Sequence, residues 1–308
     1  MSRITDIGAV QHDGTLRATV LAPAKLNLLL AVGDKRPDGF HELVSVMQTL
    51  DLADRLDVDI EVLEETDASD VLVEAPDVPG GDTLVTRAIE ELLLRSGVRA
   101  RIWVTIEKEI PIGAGLGGGS SDAGAALRAV HTLLGAPLDA AELFEIAAGI
   151  GSDVPFFVLG PGRTAVVRGR GELLEPISGL APCAWMLANP GVHQSTAAVY
   201  AGHDPSRVDP LPATTADAIR LARMRASRND LAGPARAACP QLERMCVAIE
   251  DAGGVPLVCG SGATVAVNIR SNADRQAYDG VLSTAVPGCW RRVAWTTDHD
   301  EGDPGAFV

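Results

Sequence analysis

The stretch "PIGAGLGGGSSDAGAAL", residues 111–127, holds six glycines in 17 positions, five of them ahead of two serines and an aspartate. Glycine loses more conformational freedom on folding than any other residue, so such a run is tolerated where backbone must approach a ligand closely. Three readings are open: a phosphate cradle, a dinucleotide loop, or a flexible linker. Residues 113–118, "GAGLGG", match the dinucleotide spacing G-x-G-x-x-G, a weak signal by itself. A dinucleotide loop follows its strand directly, whereas here "EKE" and Pro111 intervene. No acidic residue closes a second strand about 20 positions on, as ribose recognition requires. The Lys-Ser/Thr pair of the common P-loop is missing as well. The glycines instead run straight into a predicted helix start, where free N–H groups and a partial positive charge suit a phosphate. A linker would not be bracketed so tightly by strand and helix, and the phosphate cradle is the favoured reading.

The 308 residues are enough for two domains, and 46% hydrophobic residues supply ample core. A formal net charge of −15 excludes a binder of nucleic acid or anionic membrane that works through a basic face. An anion must therefore be held by local devices, and lysines are scarce: Lys25, Lys35 and Lys108. Lys25 stands out because it lies within an apolar stretch. The five cysteines (Cys183, Cys239, Cys246, Cys259, Cys289) form no CxxC pair. They read as buried free thiols of a reducing compartment, neither a disulfide framework nor a zinc site. The N-terminus lacks the basic-then-apolar pattern of a signal peptide, and no run approaches the roughly 18 apolar residues of a membrane span. A soluble, cytoplasmic chain is expected.

Residues 1–15 are polar and expected to be loosely ordered. Residues 16–33 read as strand, bend and strand, with the break at Pro23. Pro37-Asp38-Gly39 forms a turn, and strand-like alternation resumes over 43–64. Residues 82–97 predict an amphipathic helix capped by Asp82 or Thr83 and stopped by Gly97. Residues 100–111 predict a strand, and helices follow over 120–134 and from Asp139, whose "DAAE" opening resembles a capping box. "DVPFFVLG" (153–160) and "RTAVVRG" (163–169) read as two short strands. The distal half predicts a strand at 182–188, several helices between 196 and 252, strands at 256–259 and 263–269, a helix at 272–284 and a strand at 289–296. That order is a split βαβ plan with an enlarged first crossover, and the boundary between two mixed α+β domains falls near 170–180.

The glycine run resembles the second signature of the GHMP kinases, named for galactose, homoserine, mevalonate and phosphomevalonate kinases. "APAKLNLLLAVGDKRPDGFHEL" (22–43) is similar to the family's first signature and "VCGSGATV" (258–265) to its third, in the expected order. The resemblance implies an α+β, two-domain GHMP kinase fold. Residues 1–175 would form a ribosomal-S5-domain-2-like ATP-binding domain and residues 176–308 a ferredoxin-like substrate domain, with the site in the cleft between them. "RPDGFHEL" and "GSDVPFF" (151–157) are most similar to members that use ATP to phosphorylate the 2-hydroxyl of a cytidine diphosphate derivative of methylerythritol, on the non-mevalonate isoprenoid route. Two alternatives stay open: a GHMP-type kinase for another small alcohol, and a nucleotide-binding sensor without catalysis. Retention of both Lys25 and Asp153 argues against the sensor.

Phosphoryl transfer asks a protein for positioning, charge neutralisation and a base. The resemblance implies that Asp153 accepts the proton of the substrate hydroxyl while Lys25 neutralises the transferring phosphate. A lysine beside a carboxylate also keeps it ionised as an acceptor. ATP would be held by Pro111, Gly113, Ala114, Gly115, Leu116, Gly117, Gly118, Gly119, Ser120 and Ser121, one serine helping to hold Mg²⁺. No cluster of metal-ligating side chains is evident, and Mg²⁺ would arrive with ATP. The turn Gly260, Ser261 and Gly262 would lie near the phosphates. Asn27 and Thr196 would reach the sugar-alcohol and phosphate part of the substrate, and His41 the cytosine edge, with Phe40 and Tyr200 sandwiching the ring. Phe40 stands where the family usually has tyrosine, which keeps stacking and removes a hydroxyl.

Overall fold

The computed structural model describes residues 10–297 apart from 13, 65, 79–80, 179 and 225–227. The expectation for residues 1–15 therefore falls largely outside the described residues, and its described part is strand rather than loose chain. The first half contains β1 (Val10–His12), β2 (Thr15–Lys35), β3 (His41–Val62), β4 (Asp70–Glu74) and α1 (Thr83–Ser96). It continues through β5 (Ala100–Glu107), α2 (Gly118–Leu133), α3 (Ala140–Ile150), α4 (Val154–Val158), β6 (Thr164–Gly169) and β7 (Leu173–Ile177). These strands form one sheet in the order β1-β2-β3-β5-β4, with β6 added to β3 and β7 to β6. Only β4 and β5 run parallel, so this is not the parallel sheet of a dinucleotide fold. β3 is long because it serves two partners along one edge. Residues 43–48 pair with β6 and residues 55–62 with β5.

Pro23 does not break its strand. β2 runs unbroken for 21 residues, and Pro23 faces Ala53 just before a register shift to Lys25↔Thr49. A bulge tolerates proline because the ladder is locally interrupted, and it re-aims the side chains that follow. Here the Lys25 amide leaves the ladder and donates to the Leu116 carbonyl at 2.9 Å. The helices form where the caps indicate. Asp82 accepts from the amides of Leu84 and Val85, and Asp139 and Glu142 make a complete capping box.

"DVPFFVLG" is a correction: residues 154–158 are helix α4, with Pro155 in its first turn. All five residues are buried, and a short apolar run buried on every side carries no period that separates strand from helix. β4 and β7 had no sequence signal. Both are five-residue strands whose side chains are largely exposed or half-buried, so neither presents a continuous apolar stripe.

The second half contains β8 (Ala184–Asn189), α5 (Thr196–Ala201), a 3₁₀ turn at Pro205–Arg207, α6 (Thr215–Arg223), α7 (Ala232–Ala238) and α8 (Pro240–Asp251). It ends in β9 (Leu257–Val258), β10 (Val265–Ile269), α9 (Asn272–Ala285) and β11 (Trp290–Trp295). Its four strands lie in the order β11-β8-β10-β9, and every pairing is antiparallel. First and last strands are thus neighbours, as a split βαβ unit requires. One core fills the space between α7–α9 and this sheet; another joins Trp185, Leu187 and Leu257 to Leu26 and Leu116 of the first half. The site lies along this junction.

Helix α2 sets the glycine run against α4. A Cβ on Gly124 would lie 2.6 Å from Phe157 Cβ and 3.0 Å from the Phe157 carbonyl carbon. Gly124→Ala gains about 1 kcal/mol of helix propensity, but overpacking costs about 1–3 kcal/mol. Because the clash includes backbone, the cost falls in the upper part of that range and a net loss of about 1–2 kcal/mol is expected in urea unfolding. A variant as stable as the parent would show that α2 and α4 slide apart freely.

Candidate active site

Two glycine turns from different sheets make the floor of the site. The loop 111–117 leads into α2, whose N-cap is Gly117 in the left-handed region (φ 78°) with no side-chain cap. The first amides of such a helix lack intrahelical acceptors and point outward, with the positive end of the dipole behind them. A Cβ on Gly115 would lie 2.0 Å from the Cys259 carbonyl oxygen, so only glycine lets this loop rest on the second turn. That turn, Gly260–Gly262, is held by Asn229, whose side-chain amide donates to the Val258 and Gly260 carbonyls at 2.8 and 2.7 Å.

The loop and turn open into a cavity of ≈ 380 Å³. Lys25, Asn27, Gly115, Gly117, Ser120 and Asp153 line it. Phe40, His41, Thr196, Tyr200, Gly260 and Ser261 also border it. Twelve of the sequence-predicted residues, drawn from both halves of the chain, thus share one cavity. The others do not line it. Ala114 and Leu116 are buried in the junction core and anchor the loop, while Gly118 and Gly119 form the first turn of α2. Pro111, Gly113 and Gly262 do not border the cavity. Ser121 is turned away and fully buried, its hydroxyl donating to the Pro23 carbonyl at 2.7 Å and its amide to Gly117. Ser120 is therefore the serine of the pair that faces the cavity.

Lys25 is only 4% exposed. Its ammonium donates to Asn27 Oδ1 at 2.5 Å and lies 3.5 Å from Asp153 Oδ2. Asn27 is oriented by Ser45, which accepts from Asn27 Nδ2 at 2.9 Å and donates to the Leu29 carbonyl at 2.7 Å. Asn27 thus borders the cavity but also fixes the Lys25 head. Asp153, with 30% of its side chain exposed, is the N-cap residue of α4 and makes no capping hydrogen bond. Its carboxylate remains available to the cavity.

The aromatic end has its own order. His41 Nδ1 lies 3.0 Å from the Gly33 carbonyl. A carbonyl only accepts, so Nδ1 carries the proton and Nε2 of the neutral ring is an acceptor. The His41 and Tyr200 rings lie 5.4 Å apart. Burial, and then the negative charge of Asp153, push the Tyr200 phenol up to about 12, so it stays a neutral donor. The Arg170 guanidinium lies 4.9 Å above the Phe40 ring. Thr196 opens α5 and shares a 2.9 Å hydrogen bond with Ser261, which ties the two predicted subsites together.

Sequence reasoning missed a buried triad under the glycine loop. Lys108 donates to Asp54 and Asp122, each at 2.5 Å, and Asp54 also accepts the amides of Glu109 and Ile110. A Cβ on Gly118 would come within 3.4 Å of the Lys108 ammonium, so the triad braces the start of α2. Burial works against the Lys108 charge, but Asp122 and Asp54 outweigh it and hold its pKa above the ordinary value. Burial dominates at Asp122. It outweighs the attraction of Lys108, Asp54 adds repulsion, and the carboxyl is pushed up to about 8. Asp122 Oδ1 has no partner. "EKE" and "SSD" in the sequence gave no sign of this pairing, since the partners lie 14 and 54 residues apart.

Among the described residues no helix is long and apolar enough to cross a membrane, and no cluster of His, Cys, Asp and Glu could hold a metal ion by itself. All five cysteines are free, four of them buried.

Over most of its length the chain is similar to known small-molecule kinases. Residues 83–161 match the family model described as the GHMP kinases N terminal domain. The chain is 36% identical over 284 residues to a 4-diphosphocytidyl-2-C-methyl-D-erythritol kinase of Ralstonia pickettii, covering 90% of this chain and 93% of that one. The chain belongs to that kinase family. A Kineococcus radiotolerans member is 40% identical over 277 residues, 83% of this chain and 82% of its own. A crystal structure of a 4-(cytidine 5'-diphospho)-2C-methyl-D-erythritol kinase superposes with a TM-score of 0.71 at 34% identity, covering 90% of this chain and 99% of that one. The protein is accordingly a small-molecule kinase of GHMP fold, and its family uses ATP. The glycine cradle with its uncapped helix N-terminus has the donors that a triphosphate needs.

Asp122 supplies a pH test. In the unfolded chain it ionises near 3.8, but in the folded protein it keeps its proton to about 8. Between those values the folded state holds the extra proton, so stability falls as pH rises. Lys108, raised above an ordinary value of 10.5, acts outside that window. The urea midpoint should decline from pH 5 to 8, and Asp122→Asn, which mimics the protonated acid, should decline less. Parallel declines would mean that Asp122 is already ionised when folded.

Proposed function

We propose that this chain transfers the γ-phosphoryl group of ATP to the 2-hydroxyl of 4-diphosphocytidyl-2-C-methyl-D-erythritol. The reading rests on one observation above all: Lys25 and Asp153 stand 3.5 Å apart where the glycine loop meets the aromatic end of a single cavity. Asp153 accepts the hydroxyl proton as the oxygen attacks. Lys25, fixed by Asn27, neutralises charge on the transferring group. The loop 113–120 cradles the triphosphate, and Ser120 is the hydroxyl we assign to the Mg²⁺ that ATP carries, whose chemistry is to neutralise phosphate charge. The pyrimidine lies between Phe40 and Tyr200, with His41 Nε2 accepting from the exocyclic amine. Thr196 contacts the phosphate part. The boundary expected at 175/176 falls inside β7 (Leu173–Ile177) of the first sheet, and it is proposed instead between Ile177 and Ala184, where the second sheet begins.

ADP release, followed with ATP and a panel of alcohols, tests the whole reading. Turnover should be confined to the cytidylylated methylerythritol, and equal rates with mevalonate, homoserine or galactose would refute it. Asp153→Asn should lose about 10²–10⁴ in kcat while retaining both ligands in calorimetry. Lys25→Ala should lose a similar factor or more, and the double variant should be little worse than the poorer single one, because the two act as a unit. Full additivity would separate them.

His41 carries a further expectation. Because Nδ1 is committed to Gly33, Nε2 can meet an amine but not a second carbonyl. The uridine analogue of the substrate should have a kcat/KM lower by ~10-fold or more, since a buried acceptor facing an acceptor is left unpaired. Equal use of both bases would show that His41 does not read the pyrimidine edge.

A further inference from the structure

We infer that Arg170 binds the diphosphate of the acceptor substrate. The assignment rests on the acceptor proposed above and names the side chain that recognises its charged centre. Arg170 sits in the turn between β6 and β7 and borders the cavity beside Phe40 and Asp153. The turn is packed against the segment that carries Asp153: a Cβ on Gly171 would lie 2.5 Å from the Ser152 carbonyl oxygen. The backbone amide of Arg170 donates to Glu172 Oε2 at 2.7 Å, which further fixes the turn. The guanidinium thus has a defined origin next to the base.

Its charge is what calls for a ligand. This chain carries 41 acidic and 26 basic side chains, so carboxylates are plentiful. Yet among the described residues none pairs with the Arg170 side chain. It donates to the Ala148 carbonyl at 3.0 Å and lies 4.9 Å over the Phe40 ring. Those two contacts occupy one of five donors and one face. A half-buried cation without an anionic partner is unfavourable and is offset when an anion binds. Of the two cations bordering the cavity, Lys25 is already matched by Asp153. Arg170 is the one left. A guanidinium fork presents parallel donors to phosphate oxygens, and this one lies beside Phe40, the ring assigned above to the base. A diphosphate, rather than the base or the sugar alcohol, is the group whose charge it fits.

The test is competitive inhibition by CDP and by cytidine, together with KM for the cytidylylated methylerythritol, in wild type, Arg170→Met and Arg170→Lys. Arg170→Met keeps the stem and removes the fork. KM for the substrate and Ki for CDP should rise about 10- to 100-fold, the range of a charged hydrogen bond. Ki for cytidine, KM for ATP and kcat should stay within ~3-fold. Arg170→Lys should recover part of the loss, which also serves if the Met variant fails to fold. A rise that is equal for CDP and cytidine would make Arg170 a mere support for Phe40, and unchanged values for both would remove it from the site. Either outcome overturns this assignment alone. A wild-type protein that neither binds CDP nor turns over the cytidyl substrate overturns the acceptor reading and this assignment with it.

Discussion

The contact between Gly115 and the Cys259 carbonyl is the constraint on which the site depends. Two backbone turns, one from each sheet, touch where a single methyl group would hold them apart, the methyl carbon falling 2.0 Å from the oxygen. The Thr264 amide donates to the Ala114 carbonyl at 3.3 Å beside this contact, and Ala114, Leu116 and Cys259 close the junction core beneath it. With the turns in register, the N-terminus of α2, Ser261 and Lys25 all face one volume. The cradle is thus a property of the interface between layers, not of the glycine loop alone.

Charge is handled locally because the chain as a whole is strongly acidic. Two of the three lysines, Lys25 and Lys108, stand beneath the glycine loop, each against carboxylates. Removing one partner of a buried pair leaves an uncompensated charge, which costs far more than the pair contributes when intact. The two clusters therefore act as rigid seats. Lys108 locks the loop's entry to β3 and α2, and Lys25, aimed by the bulge after Pro23, meets the carboxylate that α4 presents. Electrostatic groups held in place before the reaction need no reorganisation during it.

The aromatic end follows a different rule. Phe40 ends the turn before β3, His41 opens β3 and Tyr200 lies on α5, so the aromatic face is assembled from both halves. The Thr196–Ser261 hydrogen bond links that face to the turn Gly260–Gly262. On the function proposed above, the acceptor and the triphosphate would be bound by faces joined through this contact, which suits a transfer that requires both ligands together.

Much of this was written in the chain. The glycine spacing with its following helix start, the "DGFHEL" turn, the capping signals at Asp82 and Asp139, and the split βαβ order of the distal half all depend on local conformational preference or on neighbouring residues, which a linear reading can weigh. Packing decided the rest. α4 hides its helical period because it is buried all round, and the break expected at Pro23 became a bulge because β3 continues alongside it. Ser120 and Ser121 are equivalent as letters, and only the Pro23 carbonyl, 98 residues away, takes one of them out of the cavity. Lys108 with Asp54 and Asp122, Asn229 under the glycine turn, and Arg170 over Phe40 are pairings across large sequence separations. Such contacts arise when strands and helices find their register in three dimensions, and no periodicity along one dimension records them.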